Sequence, residues 1–277
     1  MSTPNGITRR TIEVPAHRAH AAATLVAHVA GRGPLALLLH GYPLDHRMWL
    51  DVLRSPLAER RTLVALDLRG HGHSPAPGDA THPMERFAAD AAAVLDAFGV
   101  ADADVVGLSM GGYVAFALAA AFPQRVRSLV LTNTRAGADG EQARAGRDAA
   151  IRTVLEQGRA AIAQAMLGKL LAKDADAVLA ARVRTMIEDT PVETIVADLR
   201  GLRDRADRTA LLPTLQAPTL VVVGEHDAIT PPAEAAAMAA AIPGARLVVA
   251  PGAGHMTPME QPAAFAAALA AFWDTVG

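Results

Sequence analysis

Short, uniformly apolar runs recur along the chain and alternate with longer segments of helical period. A strand that is covered on both faces reads as a continuous apolar run, so these runs predict buried strands. They lie at 35–39, 63–66 and 105–106, and further strands with some polar residues are predicted at 126–132, 219–223 and 246–249. Helical patterns lie between them, for example at 84–98 and 232–241. This alternation predicts an α/β fold with a doubly wound, mostly parallel sheet and right-handed crossovers.

The two earliest stretches differ from these runs, because polar and apolar residues alternate along them. Residues 7–14 and 22–29 have this half-polar pattern, and the turn sequence G-R-G-P at 31–34 follows the second stretch. Alternation is typical of antiparallel strands with one face in water. We therefore expect an antiparallel pair at one edge of the sheet.

Strands are not predicted between residues 134 and 212, where the sequence has only helical patterns. An all-helical insertion in an α/β chain is most simply a cap or lid over one end of the sheet. We therefore expect a core domain formed by 1–133 and 213–277, and a helical cap formed by 134–212.

One helix of this insertion has a clear start signal. Residues 190–193 read T-P-V-E, and apolar residues then recur with a helical period through Leu202. Threonine at the N-cap, proline at the first helical position and glutamate at the third are typical of a capping box. We expect a helix here, with Thr190 as its N-cap.

Composition narrows the class of protein without pointing to a partner. The 277 residues include 26 Lys and Arg against 28 Asp and Glu, a net charge of −2, which gives no reason to expect nucleic acid or an anionic membrane as a partner. The sequence has no cysteine, which excludes disulfides and thiolate nucleophiles. Without a signal-peptide pattern or an apolar run of membrane-spanning length, we expect a cytoplasmic protein, of undetermined oligomeric state.

A glycine-flanked serine stands between a predicted strand and a helix. Residues 107–111 read G-L-S-M-G, directly after the apolar pair at 105–106. Glycines two positions before and after Ser109 leave room for neighbouring backbone at a sharp turn, so the serine can be strained with its Oγ exposed. Unpaired N–H groups at the start of the next helix can meet developing negative charge. The motif alone fits a catalytic serine and an ordinary tight turn equally well.

Other polar residues follow the remaining strands. The loops at the carboxyl ends of parallel strands converge on one crevice. Those ends carry His40, Asp67, Ser109, Asp227 and His255. A serine needs an adjacent base, and the base needs a third group to orient it, so the order serine, acid, histidine predicts a catalytic triad.

The acid and the base of this triad have rivals. Asp67 and Glu225 are alternative acids, although Glu225 lies two residues closer to its strand than Asp227 and Asp67 belongs to a run that looks structural. His40 is an alternative base, which we expect to be a hydrogen-bonded scaffold residue near the oxyanion loop.

Five motifs in this order resemble the α/β-hydrolase superfamily. They are H-G-Y-P at 40–43, D-L-R-G-H-G-H-S at 67–74, G-L-S-M-G at 107–111, G-E-H-D at 224–227 and G-A-G-H at 252–255. More narrowly, the chain resembles its capped bacterial serine esterases and lactonases, including enol-lactonases. The resemblance implies Ser109 as nucleophile, His255 as general base and Asp227 as the orienting acid. It also implies an oxyanion hole formed by the backbone N–H groups of Tyr42 and Met110.

The function that this resemblance favours is hydrolysis of a small or medium carboxylic ester. Lactone hydrolysis (for example, of 3-oxoadipate enol-lactone), carbon–carbon bond hydrolysis and perhydrolysis stay open, since they can use the same triad. Serine at position 109 argues against haloalkane dehalogenases and epoxide hydrolases, whose relatives carry aspartate there. A ligand sensor with vestigial hydrolysis is an alternative from another class. Arg135, at the base of the expected cap, is a tentative substrate-binding residue for a carboxylated ring.

Two further histidines have a spacing that could suggest a metal ion. They are His71 and His73, but no carboxylate or third histidine lies beside them at metal-ligand spacing. We therefore expect no metal and no cofactor, and a small-molecule ester or lactone as the partner.

Overall fold

A single eight-stranded sheet forms the centre of the computed structural model, which describes residues 6–16, 22–76 and 78–276. The strands are β1 (Thr8–Val14), β2 (Ala23–Gly31), β3 (Leu35–Leu39), β4 (Thr62–Asp67), β5 (Ala103–Leu108), β6 (Val126–Thr132), β7 (Thr219–Gly224) and β8 (Arg246–Ala250). Their spatial order is β1-β2-β4-β3-β5-β6-β7-β8. β2 is antiparallel to β1 and β4, and the other neighbours are parallel. The predicted α/β fold and its antiparallel edge pair are confirmed.

Most strands that have apolar sequences are buried, as predicted. Every residue of β3, β5 and β7 is buried, whereas β1 buries only Ile12 and Val14. β8 differs from the other apolar strands, because Leu247 and Val249 are exposed. It lies at the end of the sheet, where β7 is its only strand neighbour.

Helices connect and cover these strands. They are α1 (Leu50–Leu53), α2 (Met84–Ala97), α3 (Met110–Ala121), α4 (Glu141–Gln157), α5 (Arg159–Leu170), α6 (Ala177–Asp189), α7 (Val192–Arg203), α8 (Pro232–Ala241), α9 (Thr257–Glu260) and α10 (Pro262–Val276). α3 buries every residue from Met110 to Ala119 and packs against α2, β3, β5 and β6. A helix that is apolar on all sides belongs inside the protein, so α3 is a rigid support for the turn before it.

Four of the helices, α4 to α7, form an insertion between β6 and β7. The insertion contains no strand, as expected, and all of its residues are described. It touches the loops at the carboxyl ends of the strands: the N–H of His255 donates to the backbone oxygen of Leu170 at 3.0 Å. The division into a core and a cap at 134–212 stays a prediction. No helix in the described part of the chain is long and apolar enough to cross a membrane.

The start of α7 differs from the predicted capping box. Pro191 is the N-cap residue, and no side chain caps this helix. The hydroxyl of Thr190 instead lies 3.0 Å from the backbone oxygen of Pro43 and 3.1 Å from that of Met186. The predicted cap is therefore wrong, because a contact with the loop after β3 takes the hydroxyl away from its own helix.

A buried carboxylate ties α7 to the loop after β4. The two carboxylate oxygens of Asp198 lie 2.9 Å from His71 Nε2 and 2.7 Å from His82 Nδ1. Burial disfavours charge on these groups, but the attraction between them is stronger. It lowers the pKa of Asp198 and raises the pKa of His71. The insertion is thus held to the loop after β4 by a buried ionic contact.

Replacing Asp198 with asparagine should lower the free energy of unfolding by about 3–5 kcal/mol, because it leaves two buried histidines without their anion. Asp204→Asn is a matched control, since Asp204 is exposed and pairs with Arg203 at the end of the same helix. That change should cost about 1 kcal/mol or less. Urea unfolding of both variants measures the difference, and equal losses would contradict this role of Asp198.

The same experiment has a pH signature. The pKa of His71 is raised above its ordinary value of 6.5. Its contribution to the free energy of unfolding is therefore complete below pH 6.5 and is lost as the pH rises through the pKa of the folded state. The pKa of Asp198 is lowered below its ordinary value of 3.8. Its contribution to the free energy of unfolding is therefore complete above pH 3.8 and is lost as the pH falls through the pKa of the folded state. The difference in free energy of unfolding between wild type and Asp198→Asn should therefore be largest between pH 3.8 and pH 6.5, the two ordinary pKa values. A difference that is flat with pH would contradict the ionic contact.

Candidate active site

Ser109 lies between β5 and α3 on a strained backbone. β5 ends at Leu108, α3 begins at Met110, and Ser109 between them has φ 53° and ψ −113°. A positive φ in a residue other than glycine costs on the order of 1–3 kcal/mol and is typical of functional sites. Ser109 is also partly accessible, while both neighbours are buried. The predicted sharp turn at this serine is confirmed.

Two glycines make room for this turn. A Cβ at Gly107 would lie 2.3 Å from the backbone oxygen of Gly111. A Cβ at Gly111 would lie 2.1 Å from the backbone oxygen of Leu39, at the end of β3. Any side chain at either position would displace backbone. The backbones of β3, β5 and α3 therefore meet at contact distance around Ser109.

Both N–H groups that are predicted for the oxyanion hole lie at this corner. Met110 is the first residue of α3, so its N–H has no acceptor one turn earlier in the helix. Tyr42 follows Gly41, where a Cβ would lie 3.4 Å from the Cβ of Ser109. The loop after β3 thus runs directly against the serine. The assignment of Tyr42 and Met110 to an oxyanion hole fits these positions and stays a prediction.

Asp227 and His255 follow β7 and β8 and contact each other. His255 Nδ1 lies 2.9 Å from both carboxylate oxygens of Asp227, and both side chains are buried. The carboxylate also accepts the Thr230 N–H at 2.9 Å and the Thr230 hydroxyl at 2.5 Å. Burial opposes ionisation, but the hydrogen bonds from His255, Thr230 and Asn133 outweigh it and lower the pKa of Asp227 to about 2.

The ionised Asp227 fixes the tautomer of His255. A carboxylate accepts hydrogen bonds, so His255 Nδ1 carries a proton and donates it toward Asp227. In the neutral imidazole, Nε2 then has a free lone pair. This is the orientation that a general base requires.

Two residues that belong to none of the sequence motifs join this pair to the elbow. Asn133, directly after β6, has φ 47° and donates through Nδ2 to Asp227 at 2.8 Å and to the backbone oxygen of Gly254 at 3.2 Å. Thr134 donates its hydroxyl to the backbone oxygen of Ser109 at 2.8 Å. Two adjacent residues therefore hold the carboxylate and the serine. Their position at the end of a buried strand is the one signal in the sequence that could have identified them.

The alternative acids face other partners. Glu225 is half exposed, and its carboxylate accepts a backbone N–H of the loop after β8 at 2.9 Å. Asp67 is buried, and its carboxylate lies 2.9 Å from His46 Nδ1. Of the three candidate acids, Asp227 is thus the one that contacts His255.

His40 is a scaffold residue, as predicted. Its Nδ1 donates to the backbone oxygen of Gly41 at 3.0 Å, and its Nε2 accepts the N–H of Leu68 at 3.1 Å. Burial and the nearby His71 lower the pKa of His40 to about 4. A neutral imidazole with both nitrogens occupied connects the loops after β3 and β4.

A cavity of about 470 Å³ lies between the inserted helices and the loops that carry Tyr42 and Ile229. Its wall is mostly apolar and is formed by Tyr42, Ala143, Gly146, Arg147, Ala149, Ala150, Thr153, Ile162, Ala165, Met166, Lys169, Leu199 and Ile229. Two cations, Arg147 and Lys169, belong to this wall, and no carboxylate does among the described residues. The predicted oxyanion loop therefore opens onto a space that can take a small organic molecule.

Arg135, the tentative substrate-binding residue, does not line this cavity. Its guanidinium donates to the backbone oxygen of Ile229. Its Nε lies 3.2 Å from the carboxylate of Glu234 in α8, an ion pair without hydrogen-bond geometry. Arg135 borders a much smaller cavity of about 10 Å³ together with Tyr113 and Arg205. Arg135 thus lies behind Ile229, which lines the larger cavity, and pairs with Glu234 in α8.

The two histidines that were considered for a metal ion have different partners. His71 contacts the buried carboxylate of α7. His73 instead lies beside His28, His46 and Asp67. The expectation of no metal rests on spacing along the sequence and stays a prediction, while in space a carboxylate and two histidines from elsewhere in the chain lie beside His73.

Comparison with known proteins identifies the family of the chain. The alpha/beta hydrolase fold family matches residues 34–262. The chain belongs to the α/β-hydrolase family. A thermophilic esterase from Thermogutta terrifontis has a TM-score of 0.92 and 36% identity, over 96% of this chain and 99% of that one. The enol-lactonase from Burkholderia xenovorans LB400 has a TM-score of 0.84 and 28% identity, over 91% of this chain and 97% of that one.

Curated relatives of this α/β hydrolase match over different lengths. A pimeloyl-[acyl-carrier protein] methyl ester esterase from Chromobacterium violaceum is 34% identical over 221 residues, 75% of this chain and 81% of that protein. A 2-hydroxymuconate semialdehyde hydrolase from Pseudomonas sp. (strain CF600) is 38% identical over 106 residues, which is 38% of this chain and 38% of that protein. The resemblance to bacterial esterases and lactonases is confirmed, and the chain is a hydrolase of this family.

Substituting alanine for Gly111 should lower the free energy of unfolding by about 1–3 kcal/mol or more, because its Cβ would meet the backbone of β3. Gly168→Ala is the matched control, since Gly168 lies within α5 and a Cβ there meets nothing within 4 Å. That substitution should stabilise the protein by roughly 0.5–1 kcal/mol. Thermal unfolding of both variants measures the contrast. If Gly111→Ala were as stable as Gly168→Ala, the close contact at the elbow would not be a constraint.

Proposed function

We propose that this α/β hydrolase cleaves a small or medium carboxylic ester through an acyl-enzyme on Ser109. The observation that carries the proposal is the 2.9 Å contact of His255 Nδ1 with Asp227. Both residues lie in loops at the carboxyl ends of strands, as the strained Ser109 does. An oriented base and a serine on such an elbow are what acyl transfer requires. The names of two relatives, an esterase and a methyl ester esterase, support the substrate class.

In the first step, Ser109 Oγ attacks the ester carbonyl carbon while His255 Nε2 takes the hydroxyl proton. The carboxylate of Asp227 stabilises the imidazolium that forms. The carbonyl oxygen becomes an oxyanion and accepts hydrogen bonds from the N–H groups of Tyr42 and Met110. When the intermediate collapses, the bond to the alcohol oxygen breaks and His255 gives its proton to that oxygen. The acyl group remains on Ser109.

In the second step, water repeats the attack. His255 takes a proton from the water as it attacks the acyl carbon, and the same two N–H groups hold the second oxyanion. Collapse returns the proton to Ser109 Oγ and releases the carboxylic acid. Each N–H donor is worth roughly 2.7–4 kcal/mol in sites of this kind, because it is fixed before the charge develops. The rigid start of α3 supplies that fixed position for Met110.

Changing Ser109 to alanine should reduce kcat by about 10⁶-fold, because the nucleophile is lost while the fold is unchanged. Hydrolysis of p-nitrophenyl esters from acetate to octanoate measures this, and thermal unfolding checks the fold. Ser55→Ala is the matched control. Ser55 caps a short helical turn and donates its hydroxyl to the backbone oxygen of Val52 at 2.7 Å, so that variant should lose about 1–2 kcal/mol of stability and keep its activity.

Two outcomes would contradict the proposal. Wild-type rates in Ser109→Ala would exclude Ser109 as the nucleophile. A single stoichiometric burst in the wild type, with no further turnover, would favour a ligand sensor over an enzyme.

A lactone or ester that carries a carboxylate is a second candidate substrate, favoured by the charge of the cavity wall. Arg147 and Lys169 line the cavity without a carboxylate beside them in that wall. The nearby Asp139 is shared, since it accepts from Arg147 at 3.0 Å and from Arg205 at 2.6 Å. One anion for two guanidinium groups leaves a surplus of positive charge. The enol-lactonase among the structural relatives supports a lactone as the substrate.

The change Lys169→Met should raise KM for a carboxylated lactone severalfold and leave kcat nearly unchanged, because it removes ground-state attraction far from the reacting atoms. KM for the uncharged p-nitrophenyl esters should not change. Lys173→Met is the matched control, since Lys173 is exposed and does not line this cavity. An equal KM for the carboxylated lactone in the two variants would contradict this substrate class and leave the ester proposal intact.

A further inference from the structure

We propose that His28, Asp67 and His73 bind a divalent transition-metal ion of the zinc class. The potential ligand atoms of these residues and of His46 all lie within 4.8 Å of one another. Imidazole nitrogen and carboxylate oxygen are the ligands that zinc and its neighbours accept. The acyl-transfer steps use none of the four side chains, so this site is independent of the proposed function.

The sheet brings these residues together from distant parts of the chain. β2 is antiparallel to β4, with Val26 opposite Asp67, so His28 lies two residues further along the same face of β2. His73 lies in the loop that leaves β4, and its N–H donates to Asp67 Oδ2 at 3.0 Å. The loop therefore folds back over the end of its own strand. The fold of this loop places His73 beside His28 and Asp67, which the strand pairing already brings together.

Three of the ligand atoms have the spacing of one face of a tetrahedron. His28 Nε2 lies 3.2 Å from His73 Nδ1 and 3.3 Å from Asp67 Oδ2. His73 Nδ1 lies 3.7 Å from the same oxygen. Ligand atoms at the usual bond lengths to tetrahedral zinc lie about 3.4 Å apart. The triangle therefore needs shifts of only a few tenths of an ångström to hold an ion.

His46 holds this triangle in place. Its backbone N–H donates to Asp67 Oδ1 at 2.8 Å, and its Nδ1 lies 2.9 Å from Oδ1 and 3.0 Å from Oδ2. These contacts fix the carboxylate, with Oδ2 3.3 Å from His28 Nε2 and 3.7 Å from His73 Nδ1. The ring of His46 stacks on that of His28 at 3.4 Å with an angle of 8°. Lone pairs in parallel rings do not converge on one ion, so we assign His46 to orientation of the ligands.

Burial gives the site a closed side and an open side. Asp67 is fully buried and the side chain of His28 is 8% exposed, while the side chain of His73 is 49% exposed. An ion can thus enter past His73, and water can complete a fourth coordination position. The ion would also place positive charge beside a carboxylate that has no Lys or Arg among the partners described for it.

The test is a calorimetric titration of Zn²⁺ into untagged full-length protein that has been stripped with EDTA. We expect one zinc ion per chain and a rise in Tm on its addition. His73→Gln removes a ligand on the accessible side without disturbing the core. It should weaken zinc binding by at least about tenfold and remove most of the rise in Tm.

His226→Gln is the matched control, because His226 is 57% exposed and lies outside the cluster. It should bind zinc as the wild type does. No zinc binding in the wild type would overturn the proposal. So would equal affinities of His73→Gln and His226→Gln, since the bound zinc would then lie elsewhere on the chain. Ester hydrolysis should be unchanged in both variants, so the result is separate from the role of Ser109.

Discussion

The whole site depends on the close contact of three backbone segments at the carboxyl ends of β3 and β5. Gly107 and Gly111 allow α3 to start within contact distance of β3, and this leaves Ser109 with φ 53°. The turn is strained, so surrounding structure must hold it. The fully apolar α3, packed against three strands, provides that support. One packing constraint thus leaves the serine partly accessible and places it directly before the first residue of the helix.

The hydrogen-bonded pair of Asp227 and His255, at the ends of the neighbouring strands, is connected to the turn at Ser109. Asn133 and Thr134 extend from β6 to the carboxylate of Asp227 and the backbone of Ser109, so the charged pair and the elbow share one support. The low pKa of Asp227 keeps it ionised through neutral pH, which keeps His255 in one tautomer. The inserted helices complete the site, since α5 accepts a hydrogen bond from the backbone of His255. The position of the insertion and the orientation of His255 are therefore coupled.

Features that depend on a local sequence pattern could be predicted from the sequence. Buried strands, the elbow and the order of serine, acid and histidine could all be identified from apolar runs and glycine spacing. Contacts between distant segments could not. Thr190 matches a capping box, yet its hydroxyl contacts Pro43. Arg135 is a plausible anchor by position, yet Glu234 lies beside it in space.

The histidine cluster shows the same limit for ligand sites. Spacing along the chain isolates His73, because its partners come from β2, from the loop after β3 and from the end of β4. Strand pairing, which single-sequence patterns do not specify, brings them together. The catalytic candidates could be identified because each one lies in the turn or loop that follows a strand of a parallel sheet, where topology alone makes the strand ends converge.

The central claim is that Ser109 is the nucleophile, and covalent trapping tests it most directly. The protein is incubated with a fluorophosphonate, and the intact mass and its peptide map are recorded. A single adduct on Ser109, absent when His255 is replaced by alanine, is the result that we predict. An adduct on a different residue, or no adduct in a protein that hydrolyses esters, would contradict the account.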